Sequence, residues 1–289
     1  LENSSAENLH GPQGRPYLDL TLLTNTYEWE DRKDQFPPML AASLENLPHL
    51  RSFALAGLYQ HVDFPPSDRL ADLQRFACYS YGTPLSKWTS IAPQFRQLKH
   101  LELRFFQDIF EHQANESLAD LLLALEPCKD TLEYFLFDWF RDTDWLLSPQ
   151  MGSLARFSRL KTLIISQNLL VRSGVVHNGR EYPPWEYWKE ERPPLRISAR
   201  LPPSLQTLYI FVSDELELSA SSPVWWDLAD DLHLLPRLKY IYYSRGKRDR
   251  HEYYAGIHDE GEQQRPLGNL EGERLIKHFA ERGVYLRGD

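Results

Sequence analysis

A parallel sheet built by stacking strand-plus-helix units is the architecture this sequence predicts, on three observations. A phrase of Leu, two residues, an apolar residue, one residue and a second apolar residue recurs seven times. Helix-like spacing of apolar residues separates the copies. Pro48, Pro127, Pro202 and Pro236 stand shortly before their strands, where proline stops a helix. The copy from Leu160 to Leu170 reads L-x-x-L-x-L-x-x-N-x-L without a mismatch, which is the signature of a leucine-rich repeat. The expected fold class is α/β: an irregular leucine-rich-repeat solenoid with a parallel concave sheet and helices or turns on the convex side.

The copies begin at Leu50, Leu73, Leu98, Leu132, Leu160, Leu205 and Leu238. Their apolar followers are Phe53 and Leu55, Phe76 and Cys78, Leu101 and Leu103, Phe135 and Phe137, Leu163 and Ile165, Leu208 and Ile210, and Ile241 and Tyr243. A repeat of this class takes about 20–29 residues. The first two intervals and the fourth fit, the third and sixth are stretched, and the interval from Leu160 to Leu205 holds an insertion. A further strand is expected at Tyr17–Leu22. Between strands, Leu40, Leu44 and Leu47 share a helical face, and Asn115 is placed to cap a helix burying Leu118, Leu121, Leu122 and Leu125. Trp225, Leu228, Ala229 and Leu232 repeat that spacing. Leu275, Ile276, Phe279 and Ala280 mark a last helix, ended by Gly283, after which Val284-Tyr285-Leu286 can add a strand. The alternative is a doubly wound α/β domain, which also alternates strands and helices. A recurring leading Leu followed by a polar residue favours the array.

The expected organisation is a flexible lead-in over 1–16, an array over 17–245, and a polar loop with a capping helix over 246–289. The insertion at about 171–200 carries Pro183-Pro184, Pro193-Pro194 and, between them, Trp185 and Trp188. Insertions in arrays map to loops on one rim, often the binding side.

The chain has 289 residues and a net charge of -9. An acidic chain is a poor partner for phosphate backbones, so nucleic acid is not expected. No apolar run approaches the length of a membrane span. Cys78 sits at a core position and Cys128 at a helix end two repeats on, too far apart for a disulfide when neighbouring strands lie about 4.8 Å apart. Two reduced core cysteines favour an intracellular chain, cytoplasmic or nuclear. The sequons at Asn3 and Asn115 point the other way.

Alternation along each strand separates two faces. With the leucine and its two followers pointing inward, the third, fifth and seventh positions of each phrase point outward. They are small or charged in the early copies. The later ones carry Tyr134, Leu136, Ile164, Tyr209, Phe211, Tyr240 and Tyr242. An apolar surface of this kind marks an interaction site, and Tyr is favoured at contact hot spots. Trp185 and Trp188 are the second candidate contact, on the rim loop; the competing reading has them pinning that loop to the array.

Signatures of chemistry are missing from the sequence: it has no G-x-S-x-G, phosphate loop, G-x-G-x-x-G or H-E-x-x-H. His251, His258, Asp259 and Glu260 match no metal-ligand spacing. Asp227, Asp230 and Asp231 read as a solvated helix face. No catalytic residue, metal or cofactor is expected.

The phrases LPHLRSFAL (47–55), FRQLKHLEL (95–103), CKDTLEYFLF (128–137), FSRLKTLII (157–165), LPPSLQTLYI (201–210) and LPRLKYIYY (235–243) resemble fungal leucine-rich-repeat proteins of the F-box type, over about residues 40–245. The resemblance implies a non-enzymatic recognition module, the substrate-binding region of an SCF-type ubiquitin-ligase receptor, with a protein partner on the concave face. The chain itself shows no F-box, so contact with the ligase adaptor is expected only from a segment upstream of Leu1. Two other readings stay open. One is an interaction scaffold or secreted recognition protein unrelated to ubiquitin. The other is a carbohydrate binder or enzyme using the rim loops.

Overall fold

The computed structural model describes residues 9–10, 16–23, 50–59, 68–81, 85–107, 118–141, 152–166, 169, 176–177, 180–181, 197–212, 223–245 and 270–288. Leu40, Leu44, Leu47, Asn115, Trp185, Trp188 and the stretch 251–260 lie outside these residues.

The strands are β1 (Leu9–His10), β2 (Pro16–Leu23), β3 (Leu50–Tyr59), β4 (Arg75–Tyr81), β5 (His100–Gln107), β6 (Tyr134–Arg141), β7 (Thr162–Ser166), β8 (Val176–His177), β9 (Arg180–Glu181), β10 (Thr207–Val212), β11 (Tyr240–Arg245) and β12 (Tyr285–Gly288). Ten form one open sheet in the order β1-β2-β3-β4-β5-β6-β7-β10-β11-β12. From β2 to β12 every pairing is parallel. The strand order follows the chain and never reverses. A doubly wound sheet needs such a reversal at its switch point, so that alternative does not describe this chain. The class is α/β.

The register is set by the phrase. Phe53, Phe76, Leu101, Phe135, Leu163, Leu208 and Ile241 pair in one row across neighbouring strands, which Leu286 extends. A one-residue slip would move every apolar side chain in a strand to the wrong face. The leading leucines and both followers are buried in all seven copies. The starts of β5, β6, β7, β10 and β11 repeat one hydrogen-bond pattern. The carbonyl of Gln74 accepts from the amides of Lys99 (2.8 Å) and His100 (3.0 Å). Lys99, Glu133, Lys161 and Gln206 repeat this toward the next strand. Backbone groups where the chain enters the sheet are thereby satisfied.

Among the described residues, four helices accompany the sheet: α1 (Leu85–Ile91), α2 (Leu118–Ala124), α3 (Pro223–Asp230) and α4 (Leu270–Ala280). Short 3-10 turns join them at Asp68–Asp72, Ala92–Gln94, Glu126–Cys128, Ser198–Arg200 and Asp231–Leu234. The buried residues of the helices, among them Trp88, Leu121, Leu122, Trp225, Leu228 and Phe279, join the strand rows in one core. Each helix closes the apolar face that a strand cannot bury alone. Trp88 packs against Phe76 and Phe105, at centroid distances of 5.9 Å to each. Ala280, expected on the buried side of α4, is exposed; the buried stripe runs through Leu275 and Phe279, four residues apart. Gly283 follows with φ 76, a left-handed turn that favours glycine.

Two details differ from the expected organisation. Leu9–His10, in the expected lead-in, pair antiparallel with β2, covering backbone groups that an edge strand leaves open. Within the insertion, β8 and β9 pair antiparallel, His177 opposite Arg180. The sequence between them is Asn178-Gly179, the pair that two-residue hairpin connections favour.

Cys78 and Cys128 are both buried free thiols. Cys128 Sγ donates to the Leu125 carbonyl at 3.1 Å. Burial pushes the Cys78 thiol well above its ordinary range and Cys128 up to about 12.

Candidate functional site

The face of the sheet opposite the helices carries the third, fifth and seventh phrase positions, and two side-chain clusters stand on it. Strands β10, β11 and β12 bear the first. Parallel registration puts Tyr209 beside Tyr242 and Tyr240 beside Tyr285. The rings stack: Tyr209 on Tyr242 at 5.7 Å, Tyr242 on Tyr240 at 6.2 Å, and Tyr240 on Tyr285 at 5.8 Å, with interplanar angles of 22°, 21° and 24°. Phe211 joins at 5.0 Å from Tyr209. The result is a tyrosine ladder. Two of its members are open to solvent, Tyr240 at 37% and Tyr285 at 58%. Ordered aromatic rings supply contact area at low entropic cost, because each has only two side-chain torsions to fix.

The second cluster lies on β4, β5 and β6. His100 and Tyr134 are cross-strand neighbours and stack with ring centroids 3.8 Å apart and planes 3° apart. Glu102 is half-buried at its centre. It accepts from His100 Nε2 at 2.7 Å and from the Tyr79 hydroxyl at 3.1 Å. Arg104 lies 4.0 Å from its carboxylate and 5.3 Å from the centre of the Tyr79 ring. Burial opposes ionisation of Glu102, but these partners, His100 foremost, outweigh it and hold its pKa below the usual carboxylate range. Burial, followed by the Glu102 charge, pushes the Tyr79 and Tyr134 phenols up to about 12.

The expected outward residues therefore separate into two groups. Tyr209, Phe211, Tyr240 and Tyr242 come together. Tyr134 belongs to the polar cluster, with Thr162 and Ile164 of β7 between it and β10. Ile164 is partly exposed. Leu136 is a correction. It occupies the outward register but is only 2% exposed, so it offers no contact surface; Glu102 and Ile164 flank it in its row. The seventh positions Asp138 and Ser166 are also buried, at 1% and 3% exposure. The Ser166 hydroxyl donates to Asp138 Oδ1 at 2.6 Å, which offsets part of the cost of burying both groups. Asp231, expected on a solvated helix face, accepts from the Ser198 hydroxyl at 2.6 Å.

Tyr285, Tyr79, His100, Glu102 and Arg104 were not singled out from the sequence. Tyr285 extends the ladder, and the alternation Val284-Tyr285-Leu286 carries the signal: Tyr285 falls in the third phrase position. His100 also falls in that position, but its stacking on Tyr134 depends on which strands are neighbours.

Among the described residues, no group of three or more His, Cys, Asp and Glu side chains could hold a metal ion. No helix among them is long and apolar enough to cross a membrane. Comparison with protein-family models and with curated proteins finds no match to this chain.

Proposed function

We propose that this chain is a non-enzymatic protein-recognition module, built as an irregular leucine-rich-repeat solenoid, whose partner docks on the tyrosine ladder. The repeated strand starts and the chain-ordered strands support the solenoid reading, since each unit then contacts only its neighbours. The concave side of such an array is the face opposite the helices. One observation carries the functional reading: Tyr209, Tyr242, Tyr240 and Tyr285 form a continuous stack on that face, partly open to solvent. Tyr is enriched among the few residues that dominate binding energy. A stable interface takes about 800 Å² from each partner, so the ladder would be its centre and the surrounding polar residues its rim. The resemblance to F-box-type repeat proteins makes the partner a substrate protein of an SCF-type ubiquitin ligase.

The test compares the chain with a Tyr209→Ala/Tyr242→Ala variant by quantitative affinity capture, with circular dichroism as the control for folding. Hot-spot residues contribute about 2 kcal/mol or more each, so capture of specific partners falls at least about tenfold. Equal capture by a folded variant overturns the placement.

A further inference from the structure

We infer that a second site, separate from the tyrosine ladder, binds a short acidic segment of a protein at the starts of β4, β5, β6 and β7. A cleft of about 570 Å³ crosses these four strands, lined by Gln74, Arg75, Lys99, His100, Glu133, Tyr134, Lys161 and Thr162. That volume falls within the range of ligand-binding clefts, roughly 300–1,000 Å³. Its lining comes from the second and third phrase positions of four consecutive copies, aligned by the sheet register.

The charges decide its chemistry. Glu133 is the sole carboxylate in the lining, and two cations already hold it: Lys161 Nζ at 2.6 Å and Arg159 at 3.4 Å. His100 is held by Glu102. Arg75 and Lys99 are exposed, and neither forms an ion pair among the described residues. Lys99 also acts on Glu133 through space, and the lining thus sets three cations, Arg75, Lys99 and Lys161, against one carboxylate in a chain whose net charge is -9. Such a local reversal of sign attracts carboxylates and steers their approach.

The shape favours a peptide. Strands spaced about 4.8 Å apart make the cleft roughly 14 Å long, room for about four extended residues at ~3.3 Å each. The stacked His100 and Tyr134 rings provide a flat, rigid wall. The Arg75 guanidinium can take a carboxylate through two parallel hydrogen bonds, and Lys99 provides a second point charge.

The experiment is fluorescence anisotropy with the full chain. The probes are a labelled ten-residue peptide alternating Gly with Asp and Glu, and its Asn/Gln counterpart. The acidic peptide binds at least tenfold more tightly, and added salt weakens it, since exposed charges are screened. Arg75→Glu/Lys99→Glu lowers that affinity at least tenfold, and Arg75→Gln/Lys99→Gln lowers it less. Tyr209→Ala/Tyr242→Ala leaves it within twofold, so failure of this site and failure of the ladder are told apart. Equal binding of the two peptides, or unchanged affinity in a folded charge-reversal variant, overturns the inference. So does tighter binding of a single-stranded RNA, or calorimetric binding of inorganic phosphate with none of the peptide.

Discussion

Replacing Leu163 and its neighbour Thr162 in separate variants tests the register on which both surfaces depend. Leu163 is fully buried, with Phe135 and Leu208 beside it in the row. Leu163→Ala removes three buried carbons and leaves a cavity inside a close-packed row. Such changes cost about 2–5 kcal/mol, a large share of the roughly 5–15 kcal/mol that separates folded from unfolded domains. Thr162 is one residue earlier and points to the opposite face, partly exposed. Thr162→Ala there costs under about 1 kcal/mol, from strand propensity and surface packing. Urea unfolding followed by circular dichroism reads the difference. With a slope of about 3 kcal/mol/M, Leu163→Ala moves the midpoint down by roughly 0.7–1.7 M and Thr162→Ala by less than about 0.3 M. A larger loss for Thr162→Ala than for Leu163→Ala would refute the reasoning, because it would mean that β7 faces the other way.

Three other outcomes follow from the same structure. Because Glu102 has a depressed folded-state pKa, its contribution to stability is complete above the ordinary Glu value of about 4.3 and is lost as pH falls through the folded value. Glu102→Gln therefore makes the acid loss of stability shallower below about pH 4.3, measured by unfolding at several pH values; an unchanged slope would contradict the assignment. Glu133 and Glu126 are depressed too, so some slope persists in that variant. Gly283→Ala forces a side chain into the left-handed region at φ 76 and lowers stability by about 1–2 kcal/mol, although space around the position is open. Both thiols resist a cysteine reagent in the native chain and react once it is unfolded in urea, counted by mass spectrometry; rapid native labelling would contradict their burial.

Much of the fold was legible because strand alternation and the leading leucine act on every copy in the same way. The row through Phe53, Phe135 and Leu208 could be aligned before any contact was known. Residues whose state depends on neighbouring strands were harder. Leu136 occupies an outward position and is nevertheless buried, because exposure is set by what surrounds a side chain as well as by its direction. Asp138 and Ser166 are hidden for a related reason: their hydrogen bond forms only when β6 and β7 are adjacent. Tyr285 lay in a copy whose first position is Gly283 rather than Leu, so the phrase did not flag it. The ladder itself was largely visible. Four of its five rings were named from the register, while Tyr134 stacks on His100 instead, with β7 between it and the ladder. The cleft was invisible in the sequence because its charge emerges only after Lys161 and Arg159 are matched with Glu133.

Hydroxyl-radical footprinting tests the recognition surface most directly, since it reads the solvent access of individual tyrosine side chains. In the free chain, oxidation is expected to be strongest at Tyr285, weaker at Tyr240, and absent at the buried Phe135 and Phe137. With a captured partner bound, Tyr240 and Tyr285 become protected while the exposed Leu123 on the helical side keeps its reactivity. Unchanged oxidation of both tyrosines in the complex would contradict the claim that the ladder is where the partner docks.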